Sequence, residues 1–175
     1  MVRALFAVCL LALTGCGYSS QSLLPSTVKS VHVAPVVNAI NLSAEISDQD
    51  QFRVYRPGLE VDLTNAIINR FIFDGNLKVA SKPKADSVVE ARLVRYSREA
   101  LRYTEADDVQ EYRLSVELDV VVRTQADDIV LWKQNVIGDT TFFLSGARAA
   151  SEDEAVAKAV EDVARRVVEK TIEIW

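Results

Sequence analysis

The residue whose setting most directly prescribes chemistry is Cys16. It follows Leu13-Thr14-Gly15, and Arg3 precedes a ten-residue apolar stretch at 4–13. A positive start, a short apolar run and small residues before a cut are the parts of an export signal. A cysteine placed at the cut offers its thiol for thioether attachment of a diacylglycerol, and cleavage frees its amine for a further acyl chain such as palmitate. Several chains anchor firmly where one is marginal, because each buried methylene contributes about 0.8 kcal/mol. The apolar stretch is half of the roughly 20 residues that a spanning helix needs. Residues 1–15 therefore read as a lipoprotein signal peptide and 16–26 as a lipidated tether. Gly17 stands after the cysteine where an acidic residue would favour inner-membrane retention, so the expected location is the outer membrane, facing the periplasm.

The second group with chemical potential is a set of arginines, Arg92, Arg95, Arg98, Arg102 and Arg113. Guanidinium forks match phosphate and carboxylate oxygens. On a regular strand Arg92, Arg98 and Arg102 fall on the even register and share one face. Such a face is ordinarily just solvated; its alternative use is to bind lipid phosphate groups or acidic loops of a partner.

Other chemistry is missing. Cys9 leaves with the signal and Cys16 is acylated, so the mature chain has no thiol for catalysis, disulfides or zinc. His32 has no second histidine to complete a metal site. Asp107-Asp108 and Asp127-Asp128 sit in expected turns, where aspartate is favoured by its own backbone hydrogen bonding. No glycine-rich phosphate loop, nucleophile elbow or zinc-protease helix is found. The reading is a non-enzyme without cofactor or metal. Loss of the first 15 residues leaves 160, with 19 Lys and Arg against 25 Asp and Glu. That acidic balance argues against nucleic acid, and it confines any anion binding to a local patch.

The elements that position these groups are legible from periodicity. Residues 28–37 carry Val31, Val33 and Pro35 in a weak two-residue alternation, and 38–55 reads as a long polar loop. Pro57-Gly58 opens a helix whose apolar face includes Leu59, Leu63, Ala66, Ile67 and Phe71. Ile68, Ile72 and Phe73 widen that face as for broad packing on a sheet, and the helix ends at Asp74-Gly75-Asn76. Residues 77–80 form a short strand. Tyr112, Leu114, Val116, Leu118, Val120 and Val122 alternate with mostly polar residues, the pattern of an antiparallel strand with one covered face. Residues 87–103 supply the first arm of that hairpin, and a further strand follows from Ile129. Ser151-Glu152-Asp153-Glu154 has the form of a capping box, opening a C-terminal helix with an apolar stripe through Val156, Val160, Val163 and Val167. The expected fold class is α+β: a two-layer sandwich of two helices on one face of a mixed, mostly antiparallel sheet of four to five strands, over residues 27–175.

The order of these pieces is similar to that of the LPS-assembly lipoproteins, the LptE family. The residues that carry the resemblance are Gly15-Cys16-Gly17-Tyr18, Leu24-Pro25, Pro57-Gly58-Leu59-Glu60, Asp74-Gly75-Asn76-Leu77, Ala85-Asp86-Ser87, Gln110-Glu111-Tyr112-Arg113, Leu131-Trp132 and the capped last helix. The resemblance implies an outer-membrane lipoprotein that plugs a large β-barrel translocon, LptD, and assists insertion of lipopolysaccharide into the outer leaflet. It also implies contact with lipopolysaccharide through a basic residue in the loop before the last helix, here Arg148. A second basic position of the family, near the hairpin tip, falls at Glu105 and is not carried over. The lipopolysaccharide-binding candidates are thus Arg148, Arg92, Arg98 and Arg102. The alternative reading is a periplasmic lipoprotein accessory to an inner-membrane lipid transporter.

Overall fold

A computed structural model describes residues 28–40 and 56–173. The signal segment, Cys16, the tether and residues 41–55 of the expected loop lie outside the described residues. The elements are β1 (Ser30–Val33), β2 (Val37–Asn38), α1 (Leu59–Asp74), β3 (Lys78–Val79), a 3-10 turn (Lys82–Lys84), β4 (Ser87–Tyr103), β5 (Val109–Thr124), β6 (Val130–Phe143) and α2 (Glu152–Ile172). The sheet runs β3-β1-β4-β5-β6, with β2 continuing the line of β1 along β4. β1 is parallel to β3 and β4, while β4, β5 and β6 are antiparallel. Two helices on one face of a mixed open sheet is the α+β sandwich expected from the pattern.

The alternation in β5 buries Tyr112, Leu114, Val116, Leu118, Val120 and Val122 under the helices. In the first strand Val31 and Val33 are buried, but Pro35 is exposed and Val36 takes the inward position. The Val36 N–H is satisfied by the Thr64 hydroxyl at 2.9 Å, which a strict two-residue register through Pro35 misses.

α1 starts two residues later than expected, at Leu59, after Gly58 as N-cap with φ of 88°. Pro57 therefore precedes the cap. Gly75, with φ of 76°, closes the helix by donating its N–H to the Phe71 carbonyl at 3.1 Å, the left-handed ending that glycine adopts without strain. Leu59, Leu63, Ile67 and Phe71 are fully buried, one residue per turn. The widening of the apolar face is observed only in part: Ala66 and Ile68 pack half-buried against the core, but Ile72 is 63% and Phe73 81% exposed. α1 packs beside α2 and over the β1–β3 edge, which leaves the last turn uncovered.

α2 opens with the full capping box: Glu154 N–H donates to Ser151 Oγ at 3.2 Å, and Ser151 N–H donates to Glu154 Oε2 at 3.2 Å. Its buried stripe runs through Ala155, Val156, Ala159, Val160, Val163, Ala164, Val167 and Val168. The helix sits unusually close to β6 because Gly138 has no side chain. A Cβ there would lie 2.6 Å from both the Ala159 carbonyl oxygen and Val163 Cβ.

Candidate functional site

The helices cover one face of the sheet, and among the described residues no element covers the other. Cross-strand partners share a face, so pairing fixes what that open face displays. Its rows across β4, β5 and β6 are Arg92–Asp119–Asn135, Arg95–Glu117–Ile137, Ser97–Ser115–Asp139, Glu99–Arg113–Thr141 and Arg102–Glu111–Phe143. Opposite charges stand next to each other in most rows. Arg95 Nη1 meets Glu117 Oε1 at 3.1 Å, and Asn135 Nδ2 donates to Asp119 Oδ1 at 3.1 Å.

The arginine register differs from the simple alternation. Pairing jumps between Leu93 and Arg95, leaving Val94 as an extra residue; a bulge of this kind exchanges the faces of everything after it. Arg92 stays on the open face, but Arg98 turns inward beneath the start of α2. There Arg98 Nη1 donates to Glu152 Oε2 at 2.5 Å, and its guanidinium lies over the Tyr112 ring at 4.7 Å from the centroid. The Tyr96 hydroxyl donates to the other Glu152 oxygen at 3.1 Å. Burial, reinforced by the neighbouring Glu152 carboxylate, pushes the Tyr96 phenol up to about 12. Arg98 therefore clamps the α2 N-terminus to the hairpin and does not share a face with Arg92.

A second irregularity, between Ala100 and Arg102, returns Arg102 to the open face, where its Nε meets Glu111 Oε2 at 3.0 Å. Glu111 pairs with Phe143, and Arg148 lies over the Phe143 ring, 5.9 Å from its centroid. Arg102 and Arg148, distant in sequence, thus flank one row at the far end of the long hairpin. Arg113, one row inward, is exposed and has no carboxylate within ion-pair distance among the described residues; the same holds for Arg148. Arg102, Arg113, Arg148 and Phe143 make a basic and aromatic patch suited to phosphate groups on an amphiphile.

Other titratable groups are structural. His32 Nδ1 lies 3.2 Å from the Ala80 carbonyl, part of the β1–β3 junction. Asp162 receives the Asp139 N–H at 3.2 Å on the outer edge of β6 and holds both Arg165 at 2.6 Å and Arg166 at 2.8 Å. Its burial opposes the charge, but these three donors win and keep its carboxyl below the usual range. Among the described residues no group of three or more His, Cys, Asp or Glu side chains could hold a metal ion. No described helix is long and apolar enough to cross a membrane.

Comparison with known proteins agrees with this architecture. Among solved structures, a protein from Xanthomonas campestris superposes with a TM-score of 0.54 at 15% identity, covering 85% of this chain and 84% of that one. A hypothetical protein from Chlamydia trachomatis gives 0.54 at 14% identity, with 84% and 98% covered. Both show the fold alone. The rare lipoprotein B from Shewanella oneidensis is also similar, with a TM-score of 0.44 at 15% identity over 80% of this chain and 92% of that one. No curated protein sequence matches. The sequence model of the LptE family, described as lipopolysaccharide-assembly, matches residues 28–171. That span takes in every described element but the last residue of α2, and the chain accordingly belongs to the LptE family of lipopolysaccharide-assembly lipoproteins, which are non-enzymatic assembly factors.

Proposed function

We propose that this protein is an outer-membrane lipoprotein, anchored through acylated Cys16, that lodges in the lumen of a large LptD-like β-barrel as plug and assembly factor for insertion of lipopolysaccharide into the outer leaflet. The observation that carries the reading is the uncovered face of the sheet. It is a long ladder of alternating charges, too polar for a second hydrophobic layer or for lipid, and it complements the polar, water-filled interior of an outer-membrane barrel. The distal patch of Arg102, Arg113 and Arg148 takes phosphate groups of lipopolysaccharide. Arg92 flanks the same face further along, and Arg98 acts by holding the hairpin to α2.

A photo-reactive amino acid placed at Ser115, in the middle of the open face, tests the seating. The expected product after irradiation of intact cells is a cross-link to one large outer-membrane protein. Absence of any such product, with an equally placed probe at exposed Lys158 on α2 also silent, would contradict the plug role.

A further inference from the structure

β6 is the last strand of the sheet, and its outer edge is only partly closed. Backbone groups along a strand point alternately to its two sides. Leu144 N–H returns to the Gln110 carbonyl beside β5, whereas Asp139 N–H donates outward to Asp162 Oδ2 at 3.2 Å and the Phe143 carbonyl accepts the Ala150 N–H at 3.1 Å. Odd-numbered residues of β6 therefore face away from the sheet. Pairing with β5 is unbroken from Trp132 to Phe143, so Lys133, Asn135 and Ile137 face outward as well. No described group bonds to their backbone N–H or carbonyl, and all three residues are exposed. A row of free donors and acceptors of this kind recruits another extended chain, and folds ordinarily close it. Here the closure by Asp162 and Ala150 does not reach Ile137.

α2 overhangs the open stretch. It runs antiparallel to β6: Gly138 lies against Ala159 and Val163, and further along a groove of about 520 Å³ separates Asn135 and Ile137 from Arg166, Glu169, Lys170 and Glu173. Three strand steps from Gly138 to Asn135 cover about 10 Å, as do about seven helix residues, which brings Asn135 level with Val168 and Glu169. The helix charges are antisymmetric about that level: positive, negative, positive and negative at 166, 169, 170 and 173. Turning the segment end for end sets Arg166 against Glu173 and Glu169 against Lys170. Within one chain Arg166 is held by Asp162 at 2.8 Å, and Glu169 by Arg165 at 2.7 Å. Lys170 and Glu173 have no opposite charge within ion-pair distance among the described residues, so a reversed copy supplies what each lacks.

We propose that this edge pairs with the same edge of a second copy, antiparallel about a two-fold axis at Asn135. Asn135 then exchanges backbone hydrogen bonds with the partner's Asn135, and Lys133 with the partner's Ile137. On the open face the lysine stem covers the exposed isoleucine. α2 packs on both β5 and β6. Centred between them, it lies about 10 Å from its mate, the spacing of packed helices, and the four reversed charges meet across the axis. Such isologous pairing closes both edges at once. It rests on neither the anchor nor the barrel reading, and it is the form of the chain outside a complex.

The test is analytical ultracentrifugation of the mature chain carrying Cys16→Ser over a rising concentration series, where a monomer–dimer equilibrium is expected. Asn135→Pro removes the N–H on the axis, which serves no bond within the chain and which an edge strand can lose. It should leave a monomer that circular dichroism shows to be folded. Lys170→Glu sets like charges together twice across the axis and should weaken association about tenfold, while Glu169→Lys/Lys170→Glu, which exchanges the charges, should recover it. In amide hydrogen exchange Lys133, Asn135 and Ile137 should be fast in the monomer and protected in the dimer, with Gln134 and Val136 slow in both. A monomer at every concentration up to the millimolar range would overturn the proposal. So would a dimer in which those three amides stay fast or Lys170→Glu has no effect. Protection of the same amides by a different envelope protein, with the chain alone monomeric, would give the edge to a foreign strand and overturn it too.

Discussion

Replacing Gly138 with alanine puts the packing account under its sharpest strain. The added methyl would sit 2.6 Å from the Ala159 carbonyl oxygen and 2.6 Å from Val163 Cβ, where unstrained contacts to oxygen and carbon need about 3.3 and 3.5–4.0 Å. α2 or β6 must therefore move by about 1 Å. The obstructing atoms include helix backbone, so rotamer change cannot relieve the clash, and displacement of α2 disturbs the whole stripe from Val156 to Val167. Overpacking of this kind costs about 3 kcal/mol or more. For a domain of this size that lowers Tm by about 10 °C. Thermal unfolding followed by circular dichroism, with a urea titration to check that the m value is unchanged, measures it directly. Adding Val163→Ala should restore none of the loss, since alanine keeps the Cβ and the backbone nitrogen that obstruct the methyl and the Ala159 carbonyl remains in place. A Tm for Gly138→Ala within about 2 °C of the parent would refute the close approach of α2 to β6.

Three further outcomes follow from particular contacts. Ser151→Ala removes the acceptor for the Glu154 N–H and should destabilise by about 1 kcal/mol, read as a shift of the urea midpoint; an unchanged midpoint would speak against the capping box. Tyr96 keeps its proton to about pH 12 when folded but releases it near its ordinary value of 10.0 when unfolded. The folded state thus binds more protons across that window, and stability falls as pH rises from about 10 towards 12. Glu152→Gln should move the Tyr96 phenolate absorbance to lower pH, and a titration identical to the parent would show that Glu152 does not act on it. Asp162 works in the other direction. Its lowered carboxyl contributes stability above the ordinary carboxylate range that is lost as pH falls below it, so Asp162→Asn should flatten the acid limb of the stability profile, and an unaltered limb would count against its contacts with Arg165 and Arg166.

The elements governed by a strong local rule were legible in the sequence. The buried register of β5 follows from six apolar residues at a strict spacing of two, and Ser151 with Glu154 marks the start of α2 by side-chain chemistry alone. The arginine faces were not legible, because the bulge at Val94 carries no glycine or proline to announce it. One unpaired residue turned Arg98 from the open face to a clamp on Glu152 and left Arg92 and Arg102 without it. The exposure of Ile72 and Phe73 was hidden for a different reason. Periodicity reports which residues are apolar, whereas the width of a covered stripe depends on where α2 lies beside α1. Gly138 and the pairing of Arg148 with Phe143 depend on contacts between segments distant in sequence, which no local pattern encodes.

The most direct measurement of the central claim is the composition of the complex in which the protein resides. Envelopes containing a C-terminally tagged chain would be extracted in mild detergent, affinity-purified, and the bound proteins identified by mass spectrometry. The account predicts one large outer-membrane β-barrel in equal amount with the tagged lipoprotein. Recovery with inner-membrane transporter subunits and no barrel would contradict it.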